Sequence, residues 1–340
     1  MDKLVVEKKA YVTFNAVEEN NGKLYMADRE NNGLIEYDLN TNIASVKNVF
    51  EGSGIKGNYW KAISYEDDIW FLPITSSDKI AIFNTKDNNI DYIDFNIPEY
   101  SCEYMPFEDG YVVNEKLYLI PAFYDSILII DVKTKKINKI DIDIKQYTGT
   151  TKRIFSGSCI SDEKIYMCPF GHDYLYIYDI NLNCYKKKYL KDVNSKYGNI
   201  LCDNDKIYFL PMYLNYDIIA INRNCYSLEK KSLTFIENGS SYYCSLLYDN
   251  KIYFLPYNGK KMLIYSMENN YERIVELADY ELYYSRIKKI GKNKYIITSQ
   301  NRNTPPLLFE NGNINILDIK MPEDYFLQEL LIAIQGSEKR

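Results

Sequence analysis

The chain has 340 residues, 46% of them apolar and 15% aromatic, enough to bury a large core. Lys and Arg number 41 against 47 Asp and Glu, for a net charge of −6. That balance argues against nucleic acid or an anionic membrane as a partner, because neutralising phosphate takes clustered cations.

From the N-terminus, Met1 to Glu7 contains no apolar signal core. No run of about 18 apolar residues follows anywhere, so no membrane span is expected. A short phrase then recurs. It is worn at Lys23-Leu24-Tyr25, clear at Asp68-Ile69-Trp70-Phe71-Leu72-Pro73 and clear again at Lys116–Pro121, Lys164–Pro169, Lys206–Pro211 and Lys251–Pro256. A last worn copy stands at Lys294-Tyr295-Ile296. The central aromatics at 25, 70, 118, 166, 208, 253 and 295 lie about 45 residues apart, a period that short strands give in a β-propeller.

One repeat shows how the strands divide. Tyr242–Tyr248 reads as a first strand, Lys251–Pro256 as a second, Met262–Ser266 as a third and Tyr271–Leu277 as a fourth. Asp249-Asn250 and Glu268-Asn269-Asn270 are turns, and Tyr257-Asn258-Gly259-Lys260 reads as a loop. An Asp or Asn closes the third strand at Asp38, Asn84, Asp131, Asp179, Asn222 and Asn311. These side chains bond their own backbone and start turns, so they are hairpin devices and not a set of catalytic acids. The proline after the second strand cannot donate to a ladder and ends pairing.

Four strands per repeat, seven times over, predict an all-β fold: a seven-bladed β-propeller of four-stranded antiparallel blades over residues 1–320. By period and strand order the chain resembles the β-propeller superfamily, including its kelch-like and WD-like members. It carries none of their signatures, so the resemblance assigns no functional residue. Residues 321–340 are expected to form a short C-terminal helix and tail. Phe326, Leu327, Leu330, Leu331 and Ile334 line one face of that helix, for docking on the propeller or for a protein partner. The ring is expected to close either through Leu4-Val5-Val6 or through the last repeat's own strand at Ile314–Ile319.

Eleven positions before each anchor stands an aromatic residue: Phe14, Tyr59, Phe107, Phe155, Tyr197, Tyr242 and Tyr284. Such a repeat-invariant position serves packing between blades or else rings a channel mouth. The next residues break the symmetry: Asn15, Trp60-Lys61, Glu108-Asp109, Ser156, Gly198-Asn199, Tyr243 and Ser285-Arg286. Loops after the second strands add Tyr124, His172, Tyr213, Tyr257 and Arg302. Aromatic faces with scattered polar groups suit a carbohydrate or peptide segment. Trp60, with Lys61, is expected at the rim, partly exposed.

The ligand-binding candidates are therefore Trp60, Lys61, Glu108, Tyr124, His172, Tyr213, Tyr243, Tyr257, Arg286 and Arg302. The leading expectation is a recognition module without chemistry, binding a small glycan or peptide. The alternative is a polysaccharide lyase or glycoside hydrolase, with Glu108, Asp109, His172 and Tyr243 as acid–base candidates, and with Glu103 also examined. No cofactor or metal is expected, since His172 is the sole histidine and no cysteines form a C-x-x-C. Gly52-Ser53-Gly54-Ile55-Lys56-Gly57 precedes a strand, where a dinucleotide motif needs a helix, and reads as a loop. Seven scattered cysteines suit free buried thiols and a cytoplasmic setting.

Overall fold

The computed structural model describes residues 6, 11–29, 32–51, 59–75, 79–95, 105–124, 126–142, 153–170, 173–190, 197–214, 216–235 and 239–321. In chain order the strands begin with β1 (Phe14–Asn20), β2 (Lys23–Asp28), β3 (Gly33–Asp38) and β4 (Ile43–Val49). Next come β5 (Tyr59–Tyr65), β6 (Asp68–Pro73), β7 (Ile80–Asn84) and β8 (Ile90–Ile93). β9 (Phe107–Val113), β10 (Lys116–Pro121), β11 (Ser126–Asp131) and β12 (Ile137–Asp141) succeed them. Then come β13 (Phe155–Ser161), β14 (Lys164–Pro169), β15 (Tyr174–Asp179) and β16 (Cys184–Tyr189). After them stand β17 (Tyr197–Cys202), β18 (Lys206–Pro211), β19 (Ile218–Asn222) and β20 (Leu228–Lys231). β21 (Ser241–Tyr248), β22 (Lys251–Gly259), β23 (Lys261–Ser266) and β24 (Tyr271–Glu276) precede β25 (Leu282–Gly291), β26 (Lys294–Ser299), β27 (Leu307–Glu310) and β28 (Asn313–Ile316).

The fold is all-β, built from repeated four-stranded antiparallel sheets and consistent with a β-propeller. Five sheets hold four consecutive strands each, and a sixth runs β24-β23-β22-β25-β26-β27-β28 with β21 on β22. The sixth departs from expectation. Tyr257 and Gly259, read as loop, extend β22 and pair with Tyr283 and Leu282 of β25. β28 ends at Ile316, short of the predicted Ile319. The predicted C-terminal helix, the 52–57 glycine loop and Leu4-Val5 lie outside the described residues.

The turns form as their residues dictate. Asn114-Glu115, Asp162-Glu163 and Asp249-Asn250 hold positive φ at both positions, as two-residue hairpin turns require. The Asp38 carboxylate accepts from the Asn40 and Thr41 amides, and Asn84, Asp131 and Asn222 repeat this two and three residues on. A second device was not foreseen. Tyr37, Tyr178 and Tyr265 each donate to an asparagine five residues later, at 2.9, 2.6 and 2.8 Å. Each such bond pins the hairpin between third and fourth strands.

The chain gathers into two compact units. In the first, residues 107–130 and 138–287, the sheet of β13–β16 buries Phe155, Ile165, Met167 and Tyr176 against Tyr118, Ile120 and Ile127. Its other face buries Cys168, Leu175 and Ile177 against Tyr197, Ile207 and Phe209. In the second, Tyr25, Ala27 and Leu34 pack on Tyr59, Phe71 and Phe83. The middle strands are apolar nearly throughout because both faces are covered, whereas a fourth strand such as Cys184–Tyr189 carries its lysines into water.

All seven repeat aromatics are buried, none more than 4% exposed. They are packing wedges, and the channel-mouth reading of them is overturned. Tyr208 typifies the anchors: it is buried between sheets and donates to Asp203 at 2.7 Å. Tyr208→Ala is expected to cost about 3–5 kcal/mol, as large core truncations do. Tyr208→Phe keeps the packing and should cost about 1 kcal/mol for the lost hydrogen bond. Equilibrium denaturation of both variants checks the ranking.

Candidate ligand-binding site

The first strand of nearly every four-strand repeat carries the same defect. Opposite the second strand, registry slips by one residue between Phe14 and Val17, Tyr59 and Lys61, Phe107 and Asp109, Phe155 and Gly157, Tyr197 and Asn199, and Ser241 and Cys244. A bulge of this kind re-aims the side chain it inserts. The inserted positions include Trp60, Glu108, Ser156, Gly198 and Tyr243, the residues whose identity changes from repeat to repeat.

In the first unit these positions converge. Glu108 is only 3% exposed, yet both carboxylate oxygens are taken by guanidinium groups: Oε2 by Arg153 Nη2 at 2.7 Å and Oε1 by Arg286 Nη1 at 3.0 Å. Arg153 also donates through Nε to the Phe155 carbonyl at 3.1 Å and lies over the Phe170 ring. The two arginine side chains keep 25% and 18% of their surface exposed. The burial of Glu108 is thus offset by charge-assisted hydrogen bonds on both oxygens. It fixes two planar cations and leaves part of each in solvent.

Tyrosines adjoin this pair. The ring of Tyr243 meets Tyr257 edge to face at 5.2 Å, and Tyr257 meets Tyr283 the same way at 5.6 Å. Burial raises the Tyr243 pKa, and Tyr213 and Tyr257 add to the rise while the Arg153 charge opposes it. Arg153 likewise opposes the rise of the Cys168 thiol, which burial pushes up to about 12. Arg153 therefore sits within electrostatic reach of both. A Cβ on Gly198 would lie 2.3 Å from Met212 Cγ and 3.4 Å from the Tyr243 ring, so any larger residue here forces Met212 to move. Tyr213 stands out at the edge, 44% exposed. The arrangement offers guanidinium donors, tyrosine hydroxyls and ring faces side by side.

The candidates divide accordingly. Glu108, Tyr213, Tyr243, Tyr257 and Arg286 belong to this cluster of the first unit. Glu108 acts there as the holder of the arginines. Asp109 is held locally, accepting from the Gly110 amide at 2.8 Å and from the Tyr111 hydroxyl at 3.2 Å. Tyr124 is a correction: at 5% exposure it packs edge-on against Phe107 as core. Trp60 is a second correction. It belongs to the second unit and is 7% exposed, so the expected rim position does not hold. Lys61 and Arg302 also fall in the second unit, where the Arg302 carbonyl accepts from the Tyr11 amide. His172 and Glu103 lie outside the described residues.

Arg153 was missed. It stands two residues before the repeat aromatic Phe155, where the other copies place Val12, Gly57, Met105, Ser195, Ser240 and Leu282. That position breaks the repeat as strongly as the one after the aromatic, and comparing it would have found the residue. Among the described residues no group of three or more His, Cys, Asp or Glu side chains is arranged for a metal ion.

No family model matches the sequence, and no curated protein matches it either. Solved structures do share the fold. Virginiamycin B lyase from Staphylococcus aureus superimposes with a TM-score of 0.65 at 11% identity, over 86% of this chain and 93% of that one. YCF48 from Cyanidioschyzon merolae gives 0.66 at 9% identity, over 91% and 98%. The extracellular domain of the putative one-component system BT4673 from B. thetaiotaomicron gives 0.61 at 10% identity, over 91% of this chain but 39% of that one. At such identities the likeness defines the architecture and nothing of the site.

Glu108→Gln removes the charge between two partly exposed guanidinium groups and is expected to destabilise by about 1.5–3 kcal/mol, the range for hydrogen bonds to charged groups. Trp60→Ala, at a buried position, is expected to cost about 3–5 kcal/mol. Denaturant titration measures both, and a Trp60→Ala variant as stable as the parent would restore the residue to the surface.

Proposed function

We propose that the chain is a seven-bladed propeller acting as a recognition module, and that its first unit binds a carboxylate-bearing saccharide beside Glu108, Arg153 and Arg286. Seven successive groups of four strands, β1–β4 to β25–β28, support that blade count. The binding reading is carried by one observation: two partly exposed guanidinium groups held by a buried carboxylate, with tyrosines adjoining. A planar guanidinium grips a carboxylate with two parallel hydrogen bonds. Tyr257 and Tyr283 present rings nearly perpendicular to their neighbours, giving apolar sugar faces successive surfaces to rest on. Because Glu108 spends both oxygens on arginines, the site reads as recognition before acid–base chemistry.

An array of uronate-containing oligosaccharides, their neutral counterparts and acidic peptides tests this. Uronate-containing saccharides should bind, with neutral ones at least about tenfold weaker, a difference of about 1.4 kcal/mol. Tyr257→Ala should cost a similar factor while leaving the fold intact; Arg153→Gln should weaken binding at least as much but also destabilise the protein, because it takes one partner from the buried Glu108. Binding confined to acidic peptides, or unchanged affinity in Tyr257→Ala, would overturn the proposal. Conversion of a bound saccharide, read by mass spectrometry, would favour the enzyme instead.

A further inference from the structure

β13 and β17 are innermost strands of successive sheets in the first unit, and they run close together. A Cβ placed on Gly157 would lie 3.5 Å from the Ile200 amide nitrogen and 3.6 Å from the Asn199 Cα. Two residues further along each strand stand Cys159 and Cys202. Cys202 Sγ donates to the carbonyl of Ile160, the neighbour of Cys159, at 3.5 Å. The two thiols lie near enough that the charge state of each bears on the other. Both are free cysteines; Cys159 is buried and Cys202 half-buried, so one thiol is the more accessible.

A buried guanidinium stands by. Arg223 is 9% exposed and is fixed by the carbonyls of Asp203 and Asn204 at 3.1 and 2.7 Å, by the Tyr166 hydroxyl and by the Asp162 carboxylate. Its charge favours the thiolate form of both cysteines. A disulfide needs Cα atoms within about 7 Å, and the close approach of the two strands at Gly157 and Ile200, two residues before each cysteine, brings the pair near one another. Neither cysteine belongs to the tyrosine–arginine cluster, so this thiol pair stands independently of the proposed saccharide site.

We infer that Cys159 and Cys202 form a redox-active dithiol that closes to a disulfide on reaction with a hydroperoxide. Cys202, as thiolate, attacks a peroxide oxygen; the O–O bond breaks and the leaving hydroxide takes a proton to become water. Cys202 is then a sulfenic acid. The Cys159 sulfur attacks it, the S–O bond breaks, and hydroxide leaves with the Cys159 proton as a second water. Two thiols are oxidised and one hydrogen peroxide is reduced to two waters. A thiol reductant reverses the bond by exchange.

The order of attack follows from the environment. Cys159 donates its S–H toward Cys202 and Arg223 adds positive charge, which together hold the Cys202 pKa below its ordinary 9.0. Burial, Asp203 and Asp162 oppose this, in that order. Burial drives Cys159 well upward, so it stays protonated as the resolving thiol. Cys168, fully buried with its thiol at about 12, is a poor nucleophile. Cys225 is exposed beside the Ser227 hydroxyl and serves as an internal comparison.

The test treats the full chain, freshly reduced, with stoichiometric hydrogen peroxide and maps peptides without reduction. The expected result is a mass loss of about 2 Da and a peptide pair joined through Cys159 and Cys202, both reversed by dithiothreitol. Cys202→Ser should abolish the link, whereas Cys159→Ala should leave a sulfenic acid on Cys202 that dimedone traps. The rate should rise with pH and level off below 9.0, because a lowered pKa enlarges the thiolate fraction. Oxidation confined to Cys225, or a link through any other thiol, would overturn the inference.

Discussion

A four-stranded sheet that is apolar on both faces can leave water only if something covers both faces, and here that cover is the next sheet. In the first unit the sheet of β13–β16 packs on β10 and β11 through one face and on β17–β19 through the other. In the second unit the sheet of β1–β4 is covered by β5–β7 on one side and by Ile290 and Ile296 on the other. The wedge aromatics follow from this constraint. Phe14, Tyr59, Phe155, Tyr197 and Tyr242 lie where two sheets meet, and each brings a large side chain whose burial stabilises the contact more than any single hydrogen bond does. A repeat-invariant residue is therefore a stability residue, which is why the aromatics carry no information about a ligand.

The bulge releases the next position from that constraint. Inserting one residue after the wedge breaks the ladder locally and turns the inserted side chain off the packing face. The wedge can then stay constant while its neighbour varies from Trp60 to Glu108, Ser156, Gly198 and Tyr243. Release does not mean exposure, however. Trp60, Glu108 and Ser156 are all buried. What the bulge supplies is freedom of identity, and among the described residues of the first unit that freedom brings charged and aromatic side chains together.

The strands, their hairpin turns and the asparagine and aspartate devices were legible because they rest on residues within a few positions of one another. Tyr208, Asn222 and the Asp249-Asn250 turn each declare themselves locally. The bulges were not legible, because a register slip is a property of two strands and neither announces it alone. The Glu108 cluster lies further still from local rules. Arg153 is 45 residues away from Glu108 and Arg286 is 178, and nothing in the sequence pairs them. Trp60 shows the same gap: a position after the wedge suggests a rim, yet the indole there is 7% exposed.

Two buried glutamates, each on the first strand of its sheet, meet their cations in different ways. Glu18, in the second unit, meets Lys288 and accepts from the amides of Glu19 and Ser64 at 3.1 Å each. Lys288 in turn donates to the Ala62 carbonyl at 3.2 Å. Burial still raises the Glu18 pKa, against the pull of Lys288. That network is closed, a point charge matched by a carboxylate and a carbonyl. Glu108 meets arginines instead. A guanidinium has five donors in a plane, so one edge can hold Glu108 while another faces outward, which an ammonium cannot do with the same fixed geometry. The difference between Lys288 and Arg286, two residues apart on β25, is thus the difference between an ion pair closed within the fold and one whose cation keeps part of its surface in solvent.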